Sequence, residues 1–492
     1  MRFLAYDLGA ESGRAFLGTL EGGRLGLEEV RRFENKIVES SGHSHWDVPH
    51  LFGEMKLALR ECASRAEGAP SSIGVDTWGA DFGLLDANGD LLELPYCYRD
   101  PRTEGAMRGV FRRIPRERVY ELTGTQVMPF NTLFQLYAQE HRDYQKIEAA
   151  SDLLFMPDLF NYFFTGEMAS EFSSAAASQL FNPRKNDWES ELLEAVGVRR
   201  EIMQEVLTPG TVIGPLRAEF RREVGLQAET PVLAVASHDT ASAAAAVPAE
   251  GEGWAYISSG TWSLLGVETG EPLITPETMR LNFTNEGGVA GTFMLLKNIA
   301  GLWLLERCRE DWDRGSGEWT CERLVELGRS APPFSAFMDP NDERFTNPTS
   351  MPVAIALYCL ETGQEIPDEP ALLVRVVLEG LALKYREILE ELRHVYRGPI
   401  DRIHIVGGGA RNRLLCQYAA NATGLPVIAG PYEATAIGNV MVQAESMGQV
   451  SGLEESRAII RNSFELETYE PEDETLWDVA YAQFREIEER CG

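Results

Sequence analysis

Four residues that could do chemistry follow one another in Ser237-His238-Asp239-Thr240, between an apolar run, Val232 to Ala236, and an Ala-rich run ending near Val247. The apolar run has the length and composition of a buried strand, and the alanines suit a tightly packed helix. Asp239 therefore stands where a strand ends and a helix begins, the edge of an α/β sheet at which ligands bind. Two roles fit a carboxylate there. It could cap the helix, or it could accept a proton from a substrate that nothing bulky screens off.

Three glycine-bearing turns at strand ends offer phosphate chemistry. In Asp7-Leu8-Gly9-Ala10-Glu11-Ser12-Gly13-Arg14 the small residues let backbone amides approach a phosphate and form an anion nest. Arg14 adds a cationic contact, and a plain hairpin turn is the alternative. Asp7 would repel a phosphate unless a hard cation lay between them, which suits Mg²⁺ held partly through water. Ser258-Ser259-Gly260-Thr261 offers the same approach with three hydroxyls. Gly407-Gly408-Gly409 is expected to open a helix, its amides facing a ribose or phosphate or its glycines serving helix–strand packing. No Gly-Lys pair occurs, which excludes a Walker A loop, and the third glycine of a dinucleotide fingerprint is missing.

Other residues suit a sugar. Trp78-Gly79-Ala80-Asp81-Phe82 places an aromatic face and a carboxylate at a strand end, for C–H stacking and hydroxyl binding; a buried Trp beside a capping Asp is the alternative. Asn131 and Gln135 share a helix face, either toward a ligand or toward solvent. Lys297-Asn298 precedes an expected helix over 299–307, which Asn298 would cap. His43, His45 and His50 lack the cysteines or carboxylates that complete a metal site, so a polar loop is expected there.

Elements must hold these residues in place. Phe3–Asp7, Arg14–Leu20 and Leu25–Phe33 read as successive strands. A helix is expected over about Val48–Ala66, a strand over Ser72–Asp76, then a strand–turn–strand cornered at Asn88-Gly89. Leu94 to about Asn186 reads as an insertion carrying substrate contacts, with helices near Thr132–Tyr144 and Pro157–Phe164. Asp187–Glu205 reads as a polar helix. The opening theme returns as the strands Trp254–Ser258 and Trp262–Val267 around their turn, a weak internal repeat. A long helix, Leu373–Leu392, is followed by strand Ile403–Val406, helix Arg411–Ala422, strand Val427–Ala429 and helix Ala434–Met447. No low-complexity linker occurs, so two halves joined by a hinge and sharing a cleft are expected.

At 492 residues the chain exceeds one core, and ~150 residues per domain predicts two to three. Its 45 basic against 76 acidic residues, a net charge of −31, argue against nucleic acid or an anionic membrane as partner. A polyanionic substrate must then be met by backbone amides, a metal and a few placed side chains. Cys62, Cys97, Cys308, Cys321, Cys359, Cys416 and Cys491 are scattered without C-x-x-C spacing, as expected of reduced thiols. The chain opens on a strand with no signal pattern, and no apolar run approaches membrane-spanning length. A cytoplasmic protein is expected.

The motifs together resemble the FGGY carbohydrate kinases. The similar segments include D-L-G-A-E-S-G-R (Asp7–Arg14), G-V-D-T-W-G-A-D-F (Gly74–Phe82), Y-R-D-P-R-T (Tyr98–Thr103) and P-F-N-T-L-F-Q-L (Pro129–Leu136). They continue through A-S-H-D-T-A-S-A (Ala236–Ala243), S-S-G-T-W-S-L (Ser258–Leu264) and L-K-N-I-A-G-L-W-L-L-E-R (Leu296–Arg307). H-I-V-G-G-G-A-R-N (His404–Asn412) and A-G-P-Y-E-A-T-A-I-G-N (Ala429–Asn439) complete the set. The resemblance implies an α/β protein of two ribonuclease-H-like, actin-type ATPase domains around a central cleft. Residues 1–246 would bind the sugar and 247–492 the nucleotide. It implies Asp239 as proton acceptor, Ala10, Glu11, Ser12, Gly13, Arg14 and Thr261 around the phosphates, and Gly408 or Gly409 against the adenosine. Gly79, His238, Thr240 and Asn298 would contact the sugar, joining Trp78, Asp81, Asn131 and Gln135 from the residue reading. Glu306 stands where the family pattern has glutamine; if it approaches ATP, a carboxylate there weakens binding or demands a cation. The implied reaction is ATP- and Mg²⁺-dependent phosphorylation of a ketose, L-rhamnulose at its 1-hydroxyl, with L-fuculose or L-xylulose as alternative acceptors. A sugar-binding regulator on the same fold is the alternative of another class.

Overall fold

Arg2–Leu8 is buried on both faces along almost its whole length, and such a strand needs a partner on each edge. Ser12–Glu21 pairs with it antiparallel, Asp7 opposite Arg14, and Ser72–Thr77 pairs parallel, Asp7 opposite Asp76. In the computed structural model, which describes residues 1–65, 69–226, 229–313 and 317–491, this sheet has a defined order. It runs Thr211–Pro215, Pro231–Ala234, Ser72–Thr77, Arg2–Leu8, Ser12–Glu21, Arg24–Glu34. Pro231–Ala234, Ser72–Thr77 and Arg2–Leu8 are adjacent and parallel, so their carboxyl ends share one edge.

Helix Val48–Ala63 buries Val48, Leu51, Met55, Ala58, Leu59 and Cys62, spaced three and four apart as an amphipathic helix on a core requires. Its expected end, Ala66, lies outside the described residues. Asp47 caps it, accepting from the His50 amide at 3.0 Å. Helix Ala434–Ser446 packs on the strands Arg2–Leu8 and Ser72–Thr77, with Gln443 donating to the Leu4 carbonyl at 3.1 Å and accepting from the Ser72 hydroxyl at 2.7 Å.

Two compact units result. One comprises Met1–Ala246, Glu268–Leu296 and Ala434–Ser463; the other Val247–Val267, Lys297–Glu433 and Phe464–Gly492. A second sheet runs Thr284–Gly287, Phe293–Ala300, Trp262–Thr269, Trp254–Ser259, Arg402–Val406, Val427–Ala429, Glu467–Tyr469. Trp254–Ser259 pairs antiparallel with the strand after its turn and parallel with Arg402–Val406. That is the connectivity of Arg2–Leu8, so the internal repeat is structural.

Several expected elements differ. Phe82–Leu85 pairs with Asp152–Phe155, and across the Asn88-Gly89 corner the chain returns through the Leu85–Leu91 bridge and the Asp86 and Leu92 amides, which donate to the Asp90 and Leu84 carbonyls, without forming a second full strand. The Asp86 carboxylate accepts the Asn88 and Asp90 amides at 2.8 and 3.1 Å, which tightens the turn and ends the pairing. The polar helix over Asp187–Glu205 is instead the strand Asp187–Trp188, the short helix Ser190–Ala195 and the turn Arg200–Ile202. Gly197, at φ 69°, stops the helix, and Trp188, Leu192, Leu193, Val196 and Ile202 are buried. His43 and His45 lie on a strand, His43–Trp46, paired with Ile37–Ser40, not in a loop. His43 faces Asp100 and His45 lies against Tyr96. Cys62, Cys97, Cys308, Cys321, Cys359 and Cys416 are free thiols; the side chain of Cys491 lies outside the described residues. Among those residues no helix is long and apolar enough to cross a membrane.

Candidate active site

Each of the three adjacent parallel strands brings a carboxylate to the same sheet edge. Asp7 and Asp76 are the penultimate residues of Arg2–Leu8 and Ser72–Thr77, and Asp239 lies beyond the end of Pro231–Ala234. Asp7 is paired with Arg14 at 2.5 Å. Asp76, fully buried, accepts from the Asn439 amide at 2.6 Å. Burial pushes the Asp76 pKa well above the ordinary carboxylate value, the charges of Asp7 and Asp239 push it further, and the Asn439 bond opposes them. Its second oxygen, Oδ1, has no hydrogen-bond partner. Two carboxylates side by side, one with an orphaned buried oxygen, form a donor set that fits a hard divalent cation. Asp76 belongs to no chemistry-bearing motif by spacing, although a lone carboxylate in the apolar strand S-I-G-V-D-T is a legible signal.

Asp239 does not cap its helix. Helix Asp239–Ala245 begins with it, His238 holds the cap position, and no side-chain cap bond forms. Its carboxyl keeps 35% of its surface exposed, with the Thr240 hydroxyl at 3.3 Å. Close packing around it raises its pKa, and the neighbouring His238 opposes that rise. His238 Nε2 lies 3.5 Å from Asp239 Oδ1, and Nδ1 lies 3.1 Å from Glu286 Oε2. Below this pair, Glu171 Oε2 accepts the Ser173 hydroxyl and the amides of Ser173, Ser174 and Ser237. Burial drives the Glu171 pKa up to about 7 against those bonds. Gly79 sits on the His238 ring, where a Cβ would lie 2.9 Å from Nε2. Glu171 and Glu286 were not visible as site residues; only the sheet and its packing bring them here.

The turn Gly79-Ala80-Asp81 is a γ-turn, with Ala80 at φ 72° and the Asp81 amide donating to the Gly79 carbonyl at 3.0 Å. That strained backbone persists only where its surroundings over-determine it. Here Thr132 Oγ1 and Gln135 Nε2 donate to the Ala80 carbonyl at 2.8 and 3.3 Å. Asp81 is buried, its Oδ2 accepting from Trp46, Trp78 and the Tyr98 amide and its Oδ1 from Gln135. Burial pushes its pKa up to about 6, held from going further by the Gln135, Trp46 and Trp78 donors. Gln135 also accepts from Arg102 at 2.7 Å, and Asn131 donates to the Gln126 carbonyl and to Gln179. Both amides are buried, so the solvent-facing alternative for Asn131 and Gln135 does not hold: their helix face is polar because it meets a buried polar network.

In the glycine-bearing turn of the first unit, Gly9 closes on the Ser12 carbonyl, and Asn35 donates to the carbonyls of Gly9 and Glu11. Gly13 is required by packing, since a Cβ there would lie 2.2 Å from the Phe33 ring. In the second unit, the Ser259–Thr261 turn is pinned by the amides of Leu302 and Trp303, which donate to the Gly260 and Thr261 carbonyls at 3.0 and 3.2 Å. Gly409 backs onto Ser259, a Cβ there reaching 2.0 Å from its Oγ, while Gly408 faces open space. The glycine run opens a 3₁₀ turn, Gly408–Arg411, and Asn412 caps the helix Arg413–Thr423. Asn298 caps nothing. It lies on the strand Phe293–Ala300, and the helix starts at Trp303, because Gly301 is wedged against the Trp262 backbone. Glu306 is paired through both oxygens with Arg309, so a counter-charge accompanies the carboxylate within its own helix.

A partly exposed carboxyl on the same sheet edge as a cation-ready pair and a glycine-bearing turn is equipment suited to a phosphotransferase. Comparison with known proteins agrees. Residues 2–246 match the model of the N-terminal domain of the FGGY family of carbohydrate kinases, and residues 255–447 that of its C-terminal domain. The chain belongs to the FGGY family of carbohydrate kinases, enzymes whose small-molecule partners are a sugar and ATP with a divalent metal. It is 49% identical to the rhamnulokinase of Bacteroides thetaiotaomicron over 98% of both chains. It is 37% identical to that of Bacillus subtilis over 96% of both. The fold matches the ligand-bound xylulose kinase of Lactobacillus acidophilus with a TM-score of 0.83 at 15% identity, covering 99% of this chain and 98% of that one. It matches Plasmodium falciparum glycerol kinase with ADP at 0.78 and 14% identity, with the same coverage. Two α/β domains of the FGGY kinase fold are therefore what the sequence motifs implied.

Proposed function

We propose that the chain transfers the γ-phosphoryl group of ATP to O1 of L-rhamnulose, giving L-rhamnulose 1-phosphate and ADP, a step of L-rhamnose catabolism in the cytoplasm. Relatives named rhamnulokinase, matched along nearly the whole chain, support the substrate. One observation carries the chemistry: of the three carboxylates on the sheet edge, Asp239 alone keeps a substantial part of its surface exposed, while Asp7 and Asp76 are buried.

Asp239 takes the proton of the primary hydroxyl as O1 attacks the γ-phosphorus in line. The bond from that phosphorus to the bridging oxygen breaks, and ADP leaves with the electron pair. Such a transfer needs little covalent help, so positioning and charge neutralisation dominate. Segment 1–246 carries the sugar side through Gly79, His238 and Thr240. Trp78 supplies a wall, Asp81 and Gln135 hold the turn that carries it, and Asn131 bonds Gln126 and Gln179 at the start of the helix that bears Gln135. Asn298, in segment 247–492, reaches the sugar from there. The nucleotide is met by the amides of Ala10, Glu11, Ser12 and Gly13, by Arg14, and from segment 247–492 by Thr261, Glu306, Gly408 and Gly409. Asp7, through water, and the orphaned oxygen of Asp76 would hold Mg²⁺, which when bound supplies charge neutralisation on the phosphates.

Replacing Asp239 by Asn should leave both ligands bound while turnover falls by ~10²–10⁴, the range for a positioned base. Turnover within a few-fold of the parent would reject the role. ADP release measured across L-rhamnulose, L-fuculose and L-xylulose tests the acceptor, with the highest kcat/KM expected for L-rhamnulose.

A further inference from the structure

We propose that Glu286 is a positioning residue for the transfer: from a neighbouring strand it holds the His238 ring, and through that ring it sets where the Asp239 carboxyl lies. The inference rests on Asp239 being the proton acceptor.

The strand Thr284–Gly287 is buried throughout and pairs antiparallel with its neighbour, Glu286 opposite Met294. Successive side chains on a strand point to opposite faces. Asn285 points one way, accepting the Leu273 amide at 2.6 Å and donating to the Gly124 carbonyl at 3.2 Å; Glu286 points the other. Gly287 seats the strand on the helix Phe172–Ala177, since a Cβ there would lie 2.6 Å from the Phe172 ring. That helix also carries Ser173, whose hydroxyl accepts the His238 amide at 3.0 Å and donates to Glu171 at 2.5 Å. The His238 backbone is thus held by one element, its Nδ1 lies 3.1 Å from Glu286 on a second in a charge contact outside hydrogen-bond geometry, and Gly79 closes on Nε2 from a third.

His238 and Glu286 side chains are 11% and 7% exposed, so solvent ions screen the pair little. The charged groups facing the ring are Glu286, Asp239 and Glu171. Burial alone would push the imidazole pKa down; Glu286 first, then Asp239 and Glu171, override it and carry it up to about 9. Both ring nitrogens of an imidazolium donate. Nδ1 lies 3.1 Å from Glu286 and Nε2 3.5 Å from Asp239, so the ring stands between the two carboxylates. Without Glu286 the ring loses its anchor and its main counter-charge together.

The test is a double-mutant cycle in the full chain: Glu286→Gln, His238→Asn, the pair combined, and Glu286→Asp, each measured for kcat, for KM of ketose and ATP, and for thermal unfolding. Glu286→Gln should lower kcat by about tenfold to a hundredfold with the KM for ATP unchanged. Glu286→Asp should restore part of the loss, and the double variant should be no slower than His238→Asn alone. A double variant whose loss is the product of the two single losses would overturn the inference, as would a Glu286→Gln kcat within about threefold of the parent. Should Glu286→Gln fail to fold, Glu286→Asp answers the same question: its kcat should fall with the KM for ATP intact, and full retention of kcat in it would refute the role. Failure of the underlying reading shows separately, as retained turnover in Asp239→Asn.

Discussion

Gly438→Ala should cripple catalysis from a position that touches no substrate. Helix Ala434–Ser446 crosses helix Asp239–Ala245 at Gly438, where an added Cβ would lie 1.8 Å from the Ser242 carbonyl oxygen and 2.7 Å from its carbon. Real Cβ atoms do not approach closer than 3.0 Å, so something must move by more than about 1 Å. The obstacle is backbone, and no rotamer change absorbs it. The helices must part, and Asp239 stands one turn before Ser242 on the helix that moves. A displacement of about 1 Å costs ~10² in rate when the displaced group acts on the reacting atom, or about 2.7 kcal/mol of transition-state stabilisation. Overpacking should also remove ~1–3 kcal/mol of stability. Asn439 adjoins the altered residue and holds Asp76, so the two losses have one origin. The assay is steady-state kcat with a thermal melt, beside a control, Gly53→Ala, within the helix Val48–Ala63 where an added Cβ meets nothing within 4 Å. The control should gain ~0.5–1 kcal/mol and keep its activity. A Gly438→Ala variant with parental kcat and an unshifted melt would refute the claim that this contact positions Asp239.

Two further outcomes follow from charge. The folded protein binds the Glu171 proton up to about pH 7, whereas the unfolded chain releases it near ~4.5; stability therefore falls as pH rises through that window and stays low above it. Against Glu171→Gln, the parent should lose up to about 3 kcal/mol more between pH 4.5 and 7.5, read from denaturant midpoints; parallel profiles would contradict it. Glu306→Gln removes a carboxylate and releases Arg309, so the apparent KM for ATP should fall about two- to fivefold at low salt, the scale of a partly exposed pair. An unchanged KM in an ATP titration would place Glu306 away from the nucleotide.

What the chain discloses before folding depends on whether a signal is local. Period and composition marked Arg2–Leu8, Ser72–Thr77 and the helix Pro370–Val395, because burial on both faces or on one stripe is written into consecutive residues. Asp239 at a strand end was equally legible, since apolar run, polar break and alanine run adjoin. The misreadings share a cause: the deciding contact lies far along the chain. Asn298 looked like a cap until Gly301, wedged against the Trp262 backbone, delayed the helix to Trp303. Asn131 and Gln135 carry the pattern of a surface face, and only the arrival of Arg102, Asp81 and Gln179 makes it an interior one. Glu286 was least visible of all. Its role depends on strand register and on Phe172 lying across Gly287, and a shift of register by one residue would turn it away from His238. The residues proposed to act on the substrate are written in motifs, while those proposed to aim them emerge only through packing. A site residue identified by type alone therefore predicts which reaction occurs better than how fast it runs.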